Sequence, residues 1–170
     1  GIAFAGCADS KKKTIITVTV PGLPPVPNGQ PTIDALASSY TIGVGQTLVI
    51  PLNGKDDFSP GTNVNGVITP TQPLRFQALA GTTDTRFAVT SLAEVIANPQ
   101  RIVTGDATYV SSANDTPGLR SYVVQLTDGD LSAVKVVNIT VTAAPVAPTS
   151  QPGASVLGGG SSGGAGTGNP

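Results

Sequence analysis

The chain has 170 residues, a formal net charge of −1, no His, no Trp, no Met, one Cys and one Glu. Without His it lacks the commonest acid–base group and the commonest metal ligand. A single Cys excludes a cysteine zinc site and an intrachain disulfide framework, and the near-zero charge argues against a nucleic-acid partner held by phosphate neutralisation. With 11% charged residues, 21 Gly and 15 Pro, the composition points to a Thr- and Val-rich, loop-rich β protein. It points away from an enzyme, and no cofactor is expected.

No apolar run reaches the ~18 residues of a membrane-spanning helix, so no transmembrane segment is expected. The chain opens Gly1-Ile2-Ala3-Phe4-Ala5-Gly6-Cys7-Ala8, and small residues directly before a Cys resemble the lipobox of bacterial lipoproteins. Cys7 is therefore a candidate for lipidation or for an interchain disulfide. Lys11-Lys12-Lys13 then precedes Thr14-Ile15-Ile16-Thr17-Val18-Thr19-Val20, an almost pure β-former run. In a strand, Ile16, Val18 and Val20 share one face, with Ile15, Thr17 and Thr19 on the other. Left unpaired, such a run is an aggregation template, and the adjacent lysines act as charged gatekeepers. It must pair, either as the first strand of its own domain or in a neighbouring subunit. Pro21–Pro31 holds five prolines and cannot lie inside a sheet; extended, it reaches ~30 Å. Residues 1–31 are thus an N-terminal extension, with a candidate donor strand at 14–20 and a linker at 21–31.

Residues 32–142 carry the globular pattern, enough for one core. Tyr40–Ile42 meets Gln46–Leu52 across Gly43-Val44-Gly45, as a hairpin or a bulged corner. Asn53-Gly54 is expected to end that run, and Asn65-Gly66 to open Val67–Thr69. Strands are expected at Leu74–Leu79, Thr85–Thr90 and Ala107–Ser111. Ser91–Ala97 is the one helical candidate, with Ser91 and Glu94 at capping-box spacing and Pro99 beyond its end. Leu119–Thr127 and Leu131–Thr142 are the longest strands, joined across Asp128-Gly129, with Tyr122, Val124 and Leu126 on one face. On the second arm Val137, Ile139 and Val141 share a face with Ala133 and Lys135, the last expected at the strand's rim with its amine in water. Residues 143–170 form a Pro-, Gly- and Ser-rich tail with nothing to bury.

The closing hairpin, Tyr122-Val-Val-Gln-Leu-Thr-Asp-Gly-Asp-Leu-Ser132 running to Asn138-Ile-Thr-Val-Thr142, and the opening Ser39–Leu52 resemble bacterial immunoglobulin-like and cadherin-like surface domains. The resemblance spans roughly 32–142 and implies an all-β, immunoglobulin-like antiparallel sandwich. It also implies an extracellular or cell-surface setting among spacers, adhesins or appendage subunits. The Cys pair and core Trp of antibody domains are absent.

Other features have plainer readings. Asp56-Asp57, Asp106, Asp115 and Asp128-Gly-Asp130 could offer oxygens to calcium, but no full motif is present and Asp favours turns. Asn114-Asp-Thr116 and Asn138-Ile-Thr140 match the glycosylation sequon, as chance allows in so Thr-rich a chain. No Ser has a base beside it in sequence.

The functional expectation is a structural subunit of an extracellular, pilus-like filament. It is a head-to-tail homopolymer in which Thr14–Val20 enters the adjacent subunit and Pro21–Pro31 sets the spacing. Cell-surface or host ligands are further candidate partners. Two alternatives stand beside it: a monomeric surface lipoprotein or adhesion module anchored at Cys7 and binding through its loops, and a virion decoration or tail component.

Overall fold

The computed structural model describes residues 28–58, 61–97, 100–147, 149–151 and 153–158. Among these there is no helix. The strands are β1 (Thr32–Ile33), β2 (Ser39–Gly43), β3 (Gln46–Asp56), β4 (Gly61–Val64), β5 (Val67–Pro70), β6 (Arg75–Ala78) and β7 (Phe87–Ser91). They continue as β8 (Val95–Ala97), β9 (Gln100–Val110), β10 (Gly118–Thr127), β11 (Ser132–Thr142), β12 (Thr149–Gln151) and β13 (Ala154–Gly158). One sheet runs β12-β13-β3-β9-β7, with β1 also on β3 and β8 also on β9; the other runs β2-β11-β10-β6. The two face each other as an all-β, immunoglobulin-like sandwich, and β4-β5 is a separate hairpin.

Alternation along the strands makes the core. Leu48, Ile50 and Leu52 of β3 and Val103, Ala107 and Tyr109 of β9 are buried from one sheet. Tyr40, Ile42, Tyr122, Val124, Leu126, Val137, Ile139 and Val141 meet them from the other. The apolar face expected of the closing hairpin is thus the buried one, while Lys135 lies exposed and Ala133 half-buried nearer the turn. At one end the Tyr122 ring stacks on Phe87 of the opposite sheet, centroids 4.3 Å apart and nearly parallel, and Tyr109 packs tilted at 5.7 Å.

Tyr40–Ile42 and Gln46–Leu52 do not pair with each other. β2 lies parallel to β11, with Ile139 opposite Tyr40 and Val141 opposite Ile42, whereas β3 lies in the other sheet. Gly43-Val44-Gly45 is therefore the corner between sheets. Asn53-Gly54 does not end β3, which continues to Asp56. A Cβ on Gly54 would stand 2.5 Å from Leu126 Cδ2 and 3.0 Å from Phe76 Cζ, so the glycine serves close approach of the two sheets and not a turn. Asn65-Gly66 does form the β4-β5 turn, both residues having positive φ, 52° and 83°.

The helix expected at Ser91–Ala97 is not formed: Ser91 ends β7, and Val95–Ala97 pairs with Gln100–Ile102. The residues that would cap a helix are used elsewhere. Ser91 Oγ accepts from the Phe76 amide at 2.9 Å, and Glu94 Oε1 accepts from the Leu74 amide at 2.6 Å. Seven residues cannot hold a helix without packing, and here packing favours the sheet.

The segment expected to have nothing to bury also contributes to the core. β13 pairs with β3 from Ser155 opposite Val49 to Gly158 opposite Gln46, burying Ala154 and Val156. Gln46 holds this return in place, its side chain being fully buried. Its Oε1 accepts from the Gly43 amide at 2.6 Å and the Val146 amide at 3.0 Å. Its Nε2 donates to the carbonyls of Val146 and Gly158. Gln46→Leu would leave these backbone groups buried without partners, an expected loss of about 2–3 kcal/mol measurable by urea unfolding, with β13 amides exchanging first.

Candidate assembly surface

Strand edges decide what this sandwich can pair with. On one side β3 is covered by β9 along nearly its whole length. On the other side β1 pairs at Lys55 and Gly54, the Asp34 amide donates to Asn53 O, and β13 pairs from Gln46 to Val49. Pro51, exposed and with no N–H to offer, lies in the gap between them. β11 is flanked by β10 and β2. The places beside β3 and β11 where a first strand would enter are therefore taken by residues 32–33, 39–43 and 154–158. On the open side, β10 pairs with β6 only from Val124 to Thr127, and the Leu79 amide bonds Val123 O. Among the described residues no strand continues beside Gly118–Tyr122 on that side, and Leu119 is exposed there.

Of the residues singled out for assembly, Thr14, Ile15, Ile16, Thr17, Val18, Thr19 and Val20 lie outside the described residues, as does Cys7. The end of the Pro-rich linker is described. Asn28 Nδ2 donates to Asp130 Oδ2 at 2.9 Å, the Gly29 amide to Asp57 Oδ2 at 3.0 Å, and Gln30 Nε2 to Ser132 O at 2.8 Å. The incoming chain is thus fastened to the pole where β11 begins. The outgoing chain leaves the other end of β11, where Val44 N bonds Thr142 O and Gln46 grips Val146. The two attachments are separated by the eleven residues of β11, about 35 Å at strand rise.

Two ion clusters secure the loops. Beneath the incoming pole the Arg101 guanidinium is fully buried. It donates to Asp57 O at 2.8 Å and Gln72 O at 2.7 Å, and pairs with Glu94 at 3.3 Å and Asp56 at 3.5 Å. Burial pushes the Asp56 carboxyl up to about 7; repulsion from Asp57 and Asp128 adds to this, against the Asp57 amide bond and Arg101. Asp128 is also buried, its Oδ1 taking the Asp130 and Leu131 amides at 2.7 Å each in the hairpin turn. At the other cluster Arg86 bridges Asp84 at 2.9 Å and Asp115 at 2.8 Å. Hydrogen bonds from Arg86 hold the Asp84 carboxyl well below the usual range, and the Tyr122 hydroxyl adds to them. Burial opposes the charge on Asp115, but Ser111 and Arg86 hold its carboxyl below the usual value too. The Tyr122 phenol is pushed well above its ordinary value by burial and by Asp84. The sequence marks Asp56, Asp57, Asp115 and Asp128 only as turn residues or oxygen donors to a cation; their arginine partners Arg101 and Arg86 are supplied by the fold, which adds Asp115 to the local Asp84–Arg86 pair.

Of the sequon asparagines, Asn114 lies exposed in the loop after β9, whereas Asn138 lies mid-strand with Oδ1 accepting from Ser121 Oγ. An open groove of about 500 Å³ runs between Pro70–Arg75 and Ser91–Ile96, its rim carrying the exposed Leu92 and Ile96.

No protein-family model matches the chain, and no curated protein matches it. Among solved structures, a family 123 glycoside hydrolase from Clostridium perfringens, studied for glycolipid glycan hydrolysis, aligns at 14% identity with a TM-score of 0.43. The alignment covers 68% of this chain and 25% of the enzyme, so the chain spans about a quarter of that protein.

Arg101→Met would strand Asp56, Glu94 and two carbonyls, and is expected to cost about 3–5 kcal/mol in denaturant unfolding. The pH response has a defined sign. Asp56, with its pKa raised on folding, contributes stability that is complete below the ordinary carboxylate value near ~4 and is lost as pH rises through about 7. Asp84 and Asp115, with lowered values, contribute stability above the ordinary value that is lost as pH falls below it. The unfolding midpoint is therefore expected to peak in mildly acidic solution, and Asp56→Asn to flatten its decline between pH ~4 and ~7. An unchanged slope in that variant would remove Asp56 from the account.

Proposed function

We propose that this chain is a repeating structural unit of an extracellular, pilus-like filament, in which Thr14–Val20 adds a strand to the adjoining unit. The observation that carries the reading is the placement of the two linkers. The chain is fastened at Asp57, Asp130 and Ser132 on one pole, and its last described strand ends at Gly158, opposite Gln46 by the far end of β11, about 35 Å away. A module held at both ends of its long axis suits a line of modules.

Edge occupancy supports the second half of the proposal. A seven-residue β-former run needs a partner, and the first-strand places of its own sandwich hold other residues. On this reading the protein is a scaffold and not a catalyst. Asp84 and Asp115, bridged by Arg86, are both held ionised, which leaves neither to act as the proton donor of a carboxylate pair. The buried Arg101 cluster secures the pole that takes the load from the incoming linker.

Electron microscopy of the polypeptide as its own cell makes it, with antibody against the sandwich, tests the reading. Labelled surface filaments with an axial repeat of roughly 40–65 Å are expected, one sandwich of about 35 Å plus a linker of up to ~30 Å. Label on isolated globular particles, or only inside the cell, would contradict it.

A further inference from the structure

Two stretches of the sequence repeat each other. Ile16-Thr17-Val18-Thr19 is identical to Ile139-Thr140-Val141-Thr142. Each is followed by the same spaced pattern, Pro24-x-x-Pro27-x-x-Gln30-Pro31 in the first and Pro145-x-x-Pro148-x-x-Gln151-Pro152 in the second. Aligned with one two-residue gap, 16–31 and 139–152 agree at eight of fourteen positions, and Lys12 falls in step with Lys135. The period is 121 to 123 residues, the length of one sandwich with its linker.

The second copy shows what such a stretch does. Ile139 and Val141 are buried in the core, with Thr140 exposed and Thr142 half-buried. The strand lies antiparallel to β10, with Ile139 opposite Arg120 and Val141 opposite Gly118, and parallel to β2. It closes a sandwich, and the chain after it turns back through β12 and β13 onto β3, so the strand and not the Pro-rich stretch is the part whose role the second copy displays. In the aligned sequences Ile16 and Val18 match Ile139 and Val141, and the first described residues after them, Asn28–Gln30, are fastened to the incoming pole of this domain.

We infer that Thr14–Val20 is the closing strand of a sandwich of this same kind that precedes this one in the same polypeptide. The inference rests on the filament reading and says what joins its units. A second free copy of this chain already fills its closing place with its own β11, which is tied by a short turn to β10 over ten residue pairs. A strand arriving from another molecule would have to displace it. A preceding sandwich whose chain runs directly into Thr14–Val20 has that place open. The occupant is therefore the segment itself, the site is the slot between the strands equivalent to β10 and β2, and the joint is a peptide bond.

The 170-residue chain with residues 134–142 replaced by a second copy of residues 11–19 tests this, because it keeps β12 and β13 and changes only the closing strand. Hydrogen exchange by mass spectrometry is the readout, with a control chimera carrying Ile16→Asp and Val18→Asp in the copied segment. The expected result is one cooperative unfolding transition and at least 100-fold slowed exchange across the copied strand, both lost in the control. Equal behaviour of the two chimeras, whether both fold or neither does, overturns the inference. So does assembly of the unaltered 170-residue chain into filaments in which Thr14–Val20 becomes protected at the contacts; that outcome would leave the filament reading standing and make the joint a donated strand.

Discussion

Gln46 has no charge and lines no cleft, yet three separate pieces of backbone depend on it. Its amide bonds the last residue of β2, the chain leaving β11 and the last residue of β13. The need for it arises from a choice made a few residues earlier. The leading edge pairs briefly with β3 at Thr32–Ile33, then crosses to the other sheet and runs beside β11. That crossing closes one sheet and leaves the start of β3 open. The chain returns at Ala154–Gly158 to pair that edge, and Gln46 satisfies the corner where no regular ladder fits.

This constraint carries over to the ends of the molecule. The described strands, from Thr32 to Gly158, already fill both flanks of β3 and of β11. The proposal that Thr14–Val20 serves another sandwich starts from that occupancy. The linker contacts give the same picture from the other side. Asn28, Gly29 and Gln30 are anchored by side chains and turn residues of one pole, and the chain departs from the opposite pole. These two facts support the proposed line of sandwiches, and the buried Arg101 cluster and the Arg86 bridge tie the loops to the strands.

The sandwich itself was legible because its information is local and periodic. Alternation in Tyr122–Leu126 and Val137–Val141 marks the buried face, and Asp128-Gly129 and Asn65-Gly66 mark turns through backbone chemistry that needs no tertiary context. The failures share a cause. Ser91 and Glu94 match a capping box, but their oxygens are claimed by the Phe76 and Leu74 amides across the sandwich. Asn53-Gly54 matches a turn, but the glycine is needed where Leu126 and Phe76 press on β3. Val156 looks like part of a low-complexity tail because its one apolar alternation is short, and only the vacancy beside β3 gives it a role. The longer-range pairs of the ion clusters escaped for the same reason, since Arg86 and Asp115 are 29 residues apart and Arg101 and Asp56 are 45 apart.

The central claim is that Thr14–Val20 belongs to a sandwich other than the one it leads into. Nuclear Overhauser contacts in the labelled, monomeric 170-residue chain test it most directly. The account predicts contacts joining Ser155 and Val156 to Leu48 and Val49, and none from Ile16 or Val18 to any residue between 28 and 158. Contacts from Ile16 or Val18 to β3 or to the outer edge of β2 within the monomer would contradict it.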